Sequence, residues 1–174
     1  MPPPREMNSV IAGRMKYLFV VLLAFALGLI GCQSSQQTQM TERQADIAER
    51  GAEVMPFDLD ATTHIFNKTP EGGVQQVVAD SNDAQQVRLI REHLGTISTQ
   101  FAAGNFHDPA MIHGPEMAGL HALMMGADRL VIDYKEIERG GEITFSSMDQ
   151  NLVKALHAWF DAQVSDHGEH AEGH

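Results

Sequence analysis

Two stretches of this chain follow one plan, and that plan narrows the folds open to it. Each has a β-prone run, a glycine pair, a second β-prone run, a capping aspartate and then a helix with one apolar side. In the first stretch Thr62-Thr63-His64-Ile65-Phe66 is β-prone, Pro70 and Gly72-Gly73 break structure, and Val74 to Ala79 returns as a second strand. Asp80-Ser81-Asn82-Asp83 then offers capping side chains, and Val87, Ile90, Leu94, Ile97 and Phe101 fall at helical spacing. In the second stretch Leu130 to Tyr134 is a strand, Gly140-Gly141 turns, Glu142 to Ser146 returns, and Asp149 caps a helix. The stripe of that helix is Leu152, Val153, Leu156, Phe160 and Val164. Aligning the two glycine pairs brings the helices into register with a one-residue gap. The expectation is an α+β fold, a two-layer sandwich of two ββα-like units. Its four-stranded antiparallel sheet would carry the helices on one face, burying both stripes.

Ahead of this domain the chain reads as a targeting segment. Arg14 and Lys16 precede Tyr17 to Ile30, a run of 14 residues without charge. A membrane-spanning helix needs ~20 residues, whereas the apolar core of a signal peptide is shorter. The run closes on Leu29-Ile30-Gly31-Cys32, which resembles the lipobox of bacterial lipoproteins. That resemblance implies cleavage before Cys32, a diacylated thiol and an acylated new amino group, enough chains for stable anchoring. The alternatives are an ordinary signal peptide or a signal anchor, with translation starting at Met1, Met7 or Met15. The expected organisation is a signal peptide over 1–31, a polar tether over 32–54 with room for a short, loosely held helix over Met40 to Arg50, one domain over 55–166 and a mobile histidine-rich tail over 167–174. The protein is expected to be exported, lipid-anchored to a membrane and periplasm-facing.

Cys32 is the only cysteine, so its use for lipid leaves no thiol for disulfides, catalysis or metal. Setting aside Arg5, Glu6, Arg14 and Lys16 leaves 9 basic and 22 acidic residues, a net charge of −13. Such a surface disfavours nucleic acid and anionic headgroups and suits cations. No phosphate-cradling glycine loop with lysine, no Gly-x-Ser-x-Gly elbow and no His-Glu-x-x-His helix occurs. Asp58, Asp60, Asp161 and Asp166 are candidate carboxylates, with solvated surface as the plainer reading of each.

Histidine and methionine are the unusual supply. His107, Met111, His113, Met117, His121, Met124 and Met125 fall within 19 residues, and Met117, His121 and Met124 share a helical side. Imidazole with thioether and no thiolate suits copper, Cu(I) above all. The competing reading is that Met117 and Met124 pack with Leu120 in the core, with His121 at its margin. A two-layer fold could bring His93, His157 and the His113–Met117 segment to one rim, with His64 on the first strand. Each histidine alone is also readable as a surface or hydrogen-bonded residue. The tail histidines, His167, His170 and His174, could collect Zn²⁺, Ni²⁺ or Cu²⁺ weakly. The metal candidates are therefore His93, His113, Met117 and His157, then His121 and His64, for copper buffering or delivery. A metal-free envelope interaction module competes with that reading, and a small enzyme using His and Asp is a third class.

Several segments also resemble an uncharacterised family of small bacterial exported proteins. They are Phe57 to Phe66, Gly72-Gly73-Val74-Gln75, Leu89 to Leu94, Asp108-Pro109, Ile112-His113-Gly114, Ala155 to Gln163 and Asp166-His167-Gly168. Members are sometimes labelled aspartate carbamoyltransferase. The enzyme of that name is a two-domain cytoplasmic protein with a Ser-Thr-Arg-Thr phosphate loop and a His-Pro-x-Gln motif, and neither string occurs here. The resemblance implies the domain from Phe57 to Gly168 and no catalytic residue.

Overall fold

In the computed structural model, residues 36–174 are described. The chain divides into two units, Met1–Glu42 and Arg43–His174. Of the first unit only 36–42 are described, and they are helical. The expected signal and Cys32 lie outside the described residues. No described helix is long and apolar enough to cross a membrane.

The second unit opens with helical residues 43–54, here α1. Its strands are β1 (Thr62–Thr69), β2 (Gly72–Ala79), β3 (Val131–Ile137), β4 (Gly140–Ser146) and β5 (Ala171–Gly173). Its other helices are α2 (Ala84–Ala102), α3 (His107–His113), α4 (Leu120–Met125) and α5 (Gln150–His167). The strand order is β3-β4-β2-β1-β5, antiparallel except for β1 with β5. The central β4–β2 pair relates the two ββα units, so β1 and β3 flank it as counterparts.

Local chemistry sets each piece. Asp83 caps α2 by accepting hydrogen bonds from the Gln85 and Gln86 amides, and Asp149 caps α5 from Asn151. On α2 the stripe Val87, Ile90, Leu94, Ile97 and Phe101 is buried. On α5 Leu152, Val153, Leu156, Trp159 and Phe160 are buried. Both stripes meet the same sheet face. A Cβ on Gly73 would press on Phe160, and one on Gly141 on Leu94, and the register puts both glycines on the face of Val77, Ile143 and Phe145. Trp159 stacks edge-on against Phe101, Phe106 and Phe145, which fills the centre with aromatic area.

The glycine pairs do a different job from the turn-making expected of them. The turns fall at Pro70-Glu71 and Glu138-Arg139, and both pairs open strands. A Cβ on Gly72 would sit 1.9 Å from the Phe145 carbonyl oxygen, and one on Gly140 1.9 Å from that of Val77. The reciprocal close approach of β2 and β4 needs a residue without a side chain at both places.

Three expectations are corrected. The sheet is a mixed five-stranded one, not four antiparallel strands, because the expected mobile tail contributes β5. Its pairing with β1 continues through His174, whose amide donates to Phe66 O at 3.1 Å while Lys68 N donates to His174 O at 3.0 Å. A polar composition says nothing against such pairing, since the backbone supplies it and Gly173 fits close to Val164. The expected tether is helical over 43–54, with Ile47 only 1% exposed. Met117, His121 and Met124, read as sharing one helical side, do not all lie on one helix, because α4 begins at Leu120 and a separate short helix, α3, precedes it.

Candidate functional site

At the end of the fold where β1 starts and α5 finishes, the apolar core gives way to a polar pocket. His64 takes an inward position of β1, one step of the strand alternation before Phe66. His93 lies beside Leu94 on α2, and His113 ends α3. Gln163 and Asp166 carry the buried side of α5 through its last turns, with half-buried His167 beside them, where the apolar stripe has stopped. His64, His93, His113 and His167, with Met55, Gln75, Trp159 and Gln163, line one cavity of about 30 Å³. In this measure a water needs ~10–15 Å³. The space therefore suits an ion or a water or two, not an organic substrate.

The rings touch. His64 and His167 stack with centroids 4.8 Å apart, and His113 meets His167 edge-on at 5.1 Å. Phe57 closes the side, 5.6 Å from His93 and 6.4 Å from His64. Outside this layer stands a charged support. Arg43 on α1 donates to both Asp166 oxygens, at 2.6 and 2.7 Å, and Asp166 Oδ2 faces His113 Nδ1 at 2.8 Å. Arg43 also reaches the His113 carbonyl at 3.3 Å, and Gln44 donates to Ser165 O at 2.9 Å. An ionised carboxylate can only accept, so Nδ1 of His113 carries its hydrogen and, in the neutral ring, Nε2 keeps its lone pair. The same carboxylate–imidazole pairing orients metal-ligating histidines in general.

Burial opposes the Asp166 charge, but hydrogen bonds from His113 and Arg43 outweigh it and hold the carboxyl at about 2. The imidazoles move the opposite way. Burial, then the neighbouring His113, His93 and His170, lowers His64 to about 4. Burial lowers His93 against a raising effect from Asp108. His167 falls well below its ordinary value through burial and the nearness of His64 and His113, only partly opposed by Asp166. His64, His93 and His167 are thus held neutral, the form that offers a lone pair.

Among the described residues, the buried side-chain polar atoms without a hydrogen-bond partner are His64 Nε2, His93 Nε2, Gln75 Oε1 and Trp159 Nε1. All four residues line this one cavity. Buried polar groups are nearly always paired, so a cluster of exceptions calls for a local cause. Among the described residues, however, no three His, Cys, Asp or Glu side chains are already arranged to hold a metal ion. The pocket gathers the donors without closing them on a point.

The expected metal candidates separate into two groups. His64, His93 and His113 come together; His157, Met117 and His121 do not join them. The His157 ring faces the β1–β2 turn, its Nε2 2.8 Å from Gly72 O and 3.1 Å from Thr69 O. Ten residues of helix separate it from His167, roughly 15 Å at 1.5 Å per residue. Met117 is core, 7% exposed with Leu120, and His121 is exposed on α4. Met111, Met124 and Met125 are exposed at 52%, 41% and 71%, so the methionine-rich stretch does not form a joint site. The pocket residues missed as candidates are Met55, Gln75 and Gln163, with Arg43 behind them; His167 entered only as a weak metal collector of the tail, and Asp166 only as one carboxylate of four. A readable signal existed on α5, where the stripe Leu156, Trp159 and Phe160 continues at helical spacing as Gln163, Asp166 and His167.

Comparison with protein-family models, with curated proteins and with solved structures finds no match to this chain.

Proposed function

We propose that this is an exported, lipid-anchored protein whose folded domain binds one transition-metal ion, copper by its donor set, for buffering or delivery. His64, His93, His113 and His167 would be the nitrogen ligands, with the Met55 thioether beside them. The observation that carries the reading is the cluster of unpartnered buried polar atoms around a cavity of ion size. Neutral imidazoles at ordinary pH and the Asp166–His113 pairing support it. Ligation requires ring rotations, chiefly unstacking His64 from His167, to bring lone pairs onto one ion. Imidazole with thioether and no thiolate favours copper over Mg²⁺ or Ca²⁺.

The test is native mass spectrometry of the full chain with Cu(I), Cu(II) and Zn²⁺. His170→Ala and His174→Ala substitutions would first remove the tail histidines that lie outside the pocket. One copper per chain is expected. It should vanish when His64, His93 and His113 are replaced together by alanine, and persist in His157→Ala and His121→Ala. Absence of any stoichiometric ion, or unchanged occupancy in the triple variant, ends the metal reading.

The anchor is a separate part of the proposal, resting on the Leu-Ile-Gly-Cys string at Cys32. Intact mass of the mature protein should show an acylated N-terminal cysteine, and Cys32→Ser should release the chain from the membrane fraction. A Cys32→Ser chain that stays membrane-bound would remove the lipid from the account.

A further inference from the structure

The two edges of the sheet differ in kind. On one side β5 is three residues long. On the other, β3 runs for seven residues, Val131–Ile137, and among the described residues pairs only with β4. A long free edge exposes a row of backbone donors and acceptors that another strand can use, and proteins ordinarily shorten or guard such edges. Lys135 is a guard of that sort, yet the rest of the strand answers it.

The face of β3 turned away from the helices carries Val131, Asp133, Lys135 and Ile137. Read outward from Tyr134, this face is apolar and negative on one side, positive and apolar on the other. Antiparallel pairing of β3 with the same strand of a second copy, centred on Tyr134, puts Asp133 opposite the second copy's Lys135. The twofold axis repeats that ion pair in reverse, and Val131 meets the second copy's Ile137 at both ends. Every outward position thus finds a matching neighbour, which is what an isologous twofold contact demands. Cross-strand opposite charges and β-branched pairs both favour pairing, whereas like charges oppose it.

The single-chain structure leaves these groups available. Val131 is 57% exposed, and Asp133 is exposed with no ion pair or hydrogen bond among the described residues. Lys135 already holds Glu142 at 2.7 Å across the strand, and its three N–H groups leave a donor for a second carboxylate. Glu142 is itself bonded by Gln76 at 2.6 Å, so the lysine is oriented along this face rather than swinging free.

We propose that the protein forms a twofold dimer through β3, joining two five-stranded sheets into one, with Asp133 and Lys135 setting the register. The contact is independent of the metal pocket, which opens at the far side of the sheet order around β1 and α5. The charge pattern also disfavours strands of other charge sequence. A strand offering uncharged or acidic residues opposite Asp133 would leave the acid unmatched, whereas a second copy of β3 supplies the match itself.

Mixed-isotope cross-linking tests the register. Full-length chain made in ordinary and ¹⁵N-labelled forms is mixed and treated with a zero-length carbodiimide, and the tryptic peptides are weighed. The expected product is a mixed-isotope species joining Asp133 of one copy to Lys135 of the other. Links confined to single-isotope peptides overturn the proposal.

Charge exchange gives a second arm, read by light scattering across a dilution series. Asp133→Lys alone and Lys135→Asp alone each place like charges together twice, and each should raise the dimer dissociation constant about tenfold or more. The double exchange restores both pairs and should return the constant to within a few-fold of the original. Circular dichroism checks that each variant is folded. A wild-type chain that stays monomeric at every concentration overturns the proposal. So does a folded single variant that dimerises unchanged, or a folded double variant no better than the singles.

Discussion

The two ends of α5 hold a histidine each against the sheet, and they use it in opposite ways. At the N-terminal half, His157 Nε2 sits between the Thr69 and Gly72 carbonyls, joining the helix to the β1–β2 hairpin. That end is satisfied, and beside it Phe160 closes over Gly73. At the C-terminal end, His167 stacks on His64 near a cavity where four polar atoms have no partner. Burying polar groups unpaired costs stability, about 1–3 kcal/mol each. The fold thus pairs the Nε2 of one histidine with its own backbone and, a few turns away, offers four polar atoms to whatever occupies the cavity, an ion or a water.

The sharpest way to break the contrast is to remove Asp166, which lets the open end exist at all. Asp166→Ala leaves Arg43 without its carboxylate and the His113 Nδ1–H without an acceptor. Arg43 is half exposed and can turn to solvent, so the cost is mainly that of the buried His113 donor left unpaired, about 3 kcal/mol, read as a lower urea midpoint. A loss below about 1 kcal/mol would mean the support is dispensable.

Acid should act on the two ends unequally. His64 is held at about 4 by burial and by His113, His93 and His170, against an ordinary value near 6.5. A lowered imidazole means the unfolded chain binds the proton first. The stability is therefore fully present above about pH 6.5 and lost as pH falls towards about 4, by on the order of 3 kcal/mol for His64 alone. His93 and His167 move in the same direction and add to the slope. Asp166, held at about 2, adds loss only at lower pH, between about 4 and 2. His64→Phe should flatten the upper limb in a pH series of urea melts, leave the fold intact and abolish copper uptake. An unchanged limb in that variant would place the acid sensitivity elsewhere.

How much of this could be read beforehand depends on which physics carried it. The ββα plan was legible because apolar spacing and capping aspartates are local, and Asp83 and Asp149 do cap the helices that they were expected to cap. The glycine pairs were legible as special positions but not in their role, since close approach between β2 and β4 is a long-range fact. His64, His93 and His113 were singled out by type alone, and nothing in their spacing said that they would meet. His157 looked equally eligible, because the carbonyls that face it belong to a hairpin 85 residues and more away in sequence. His167 was lost to the assumption that a polar end is a mobile one. The strand that orders it, β5, is made of backbone pairing, which composition does not reveal.

The satisfied end should respond modestly. His157→Ala strips two carbonyls of a shared partner at the hairpin. The expected cost is about 1–2 kcal/mol in the urea midpoint, with copper stoichiometry untouched. Loss of copper with stability retained would reverse the assignment of the two ends.

The smallest effect belongs to a histidine at neither end. His121 is exposed on α4 with no hydrogen bond, ion pair or ring contact among the described residues. Surface substitutions of this kind change stability by less than about 0.5 kcal/mol. His121→Ala should therefore match the parent protein in both urea midpoint and copper stoichiometry. Its neutrality matters to the comparison because His121 lies in the same histidine- and methionine-rich stretch that gives the pocket His113. If His121→Ala lost the metal, ligation would follow the composition of that stretch rather than the packing of α5 against β1. The unpartnered atoms around the cavity would then need another explanation.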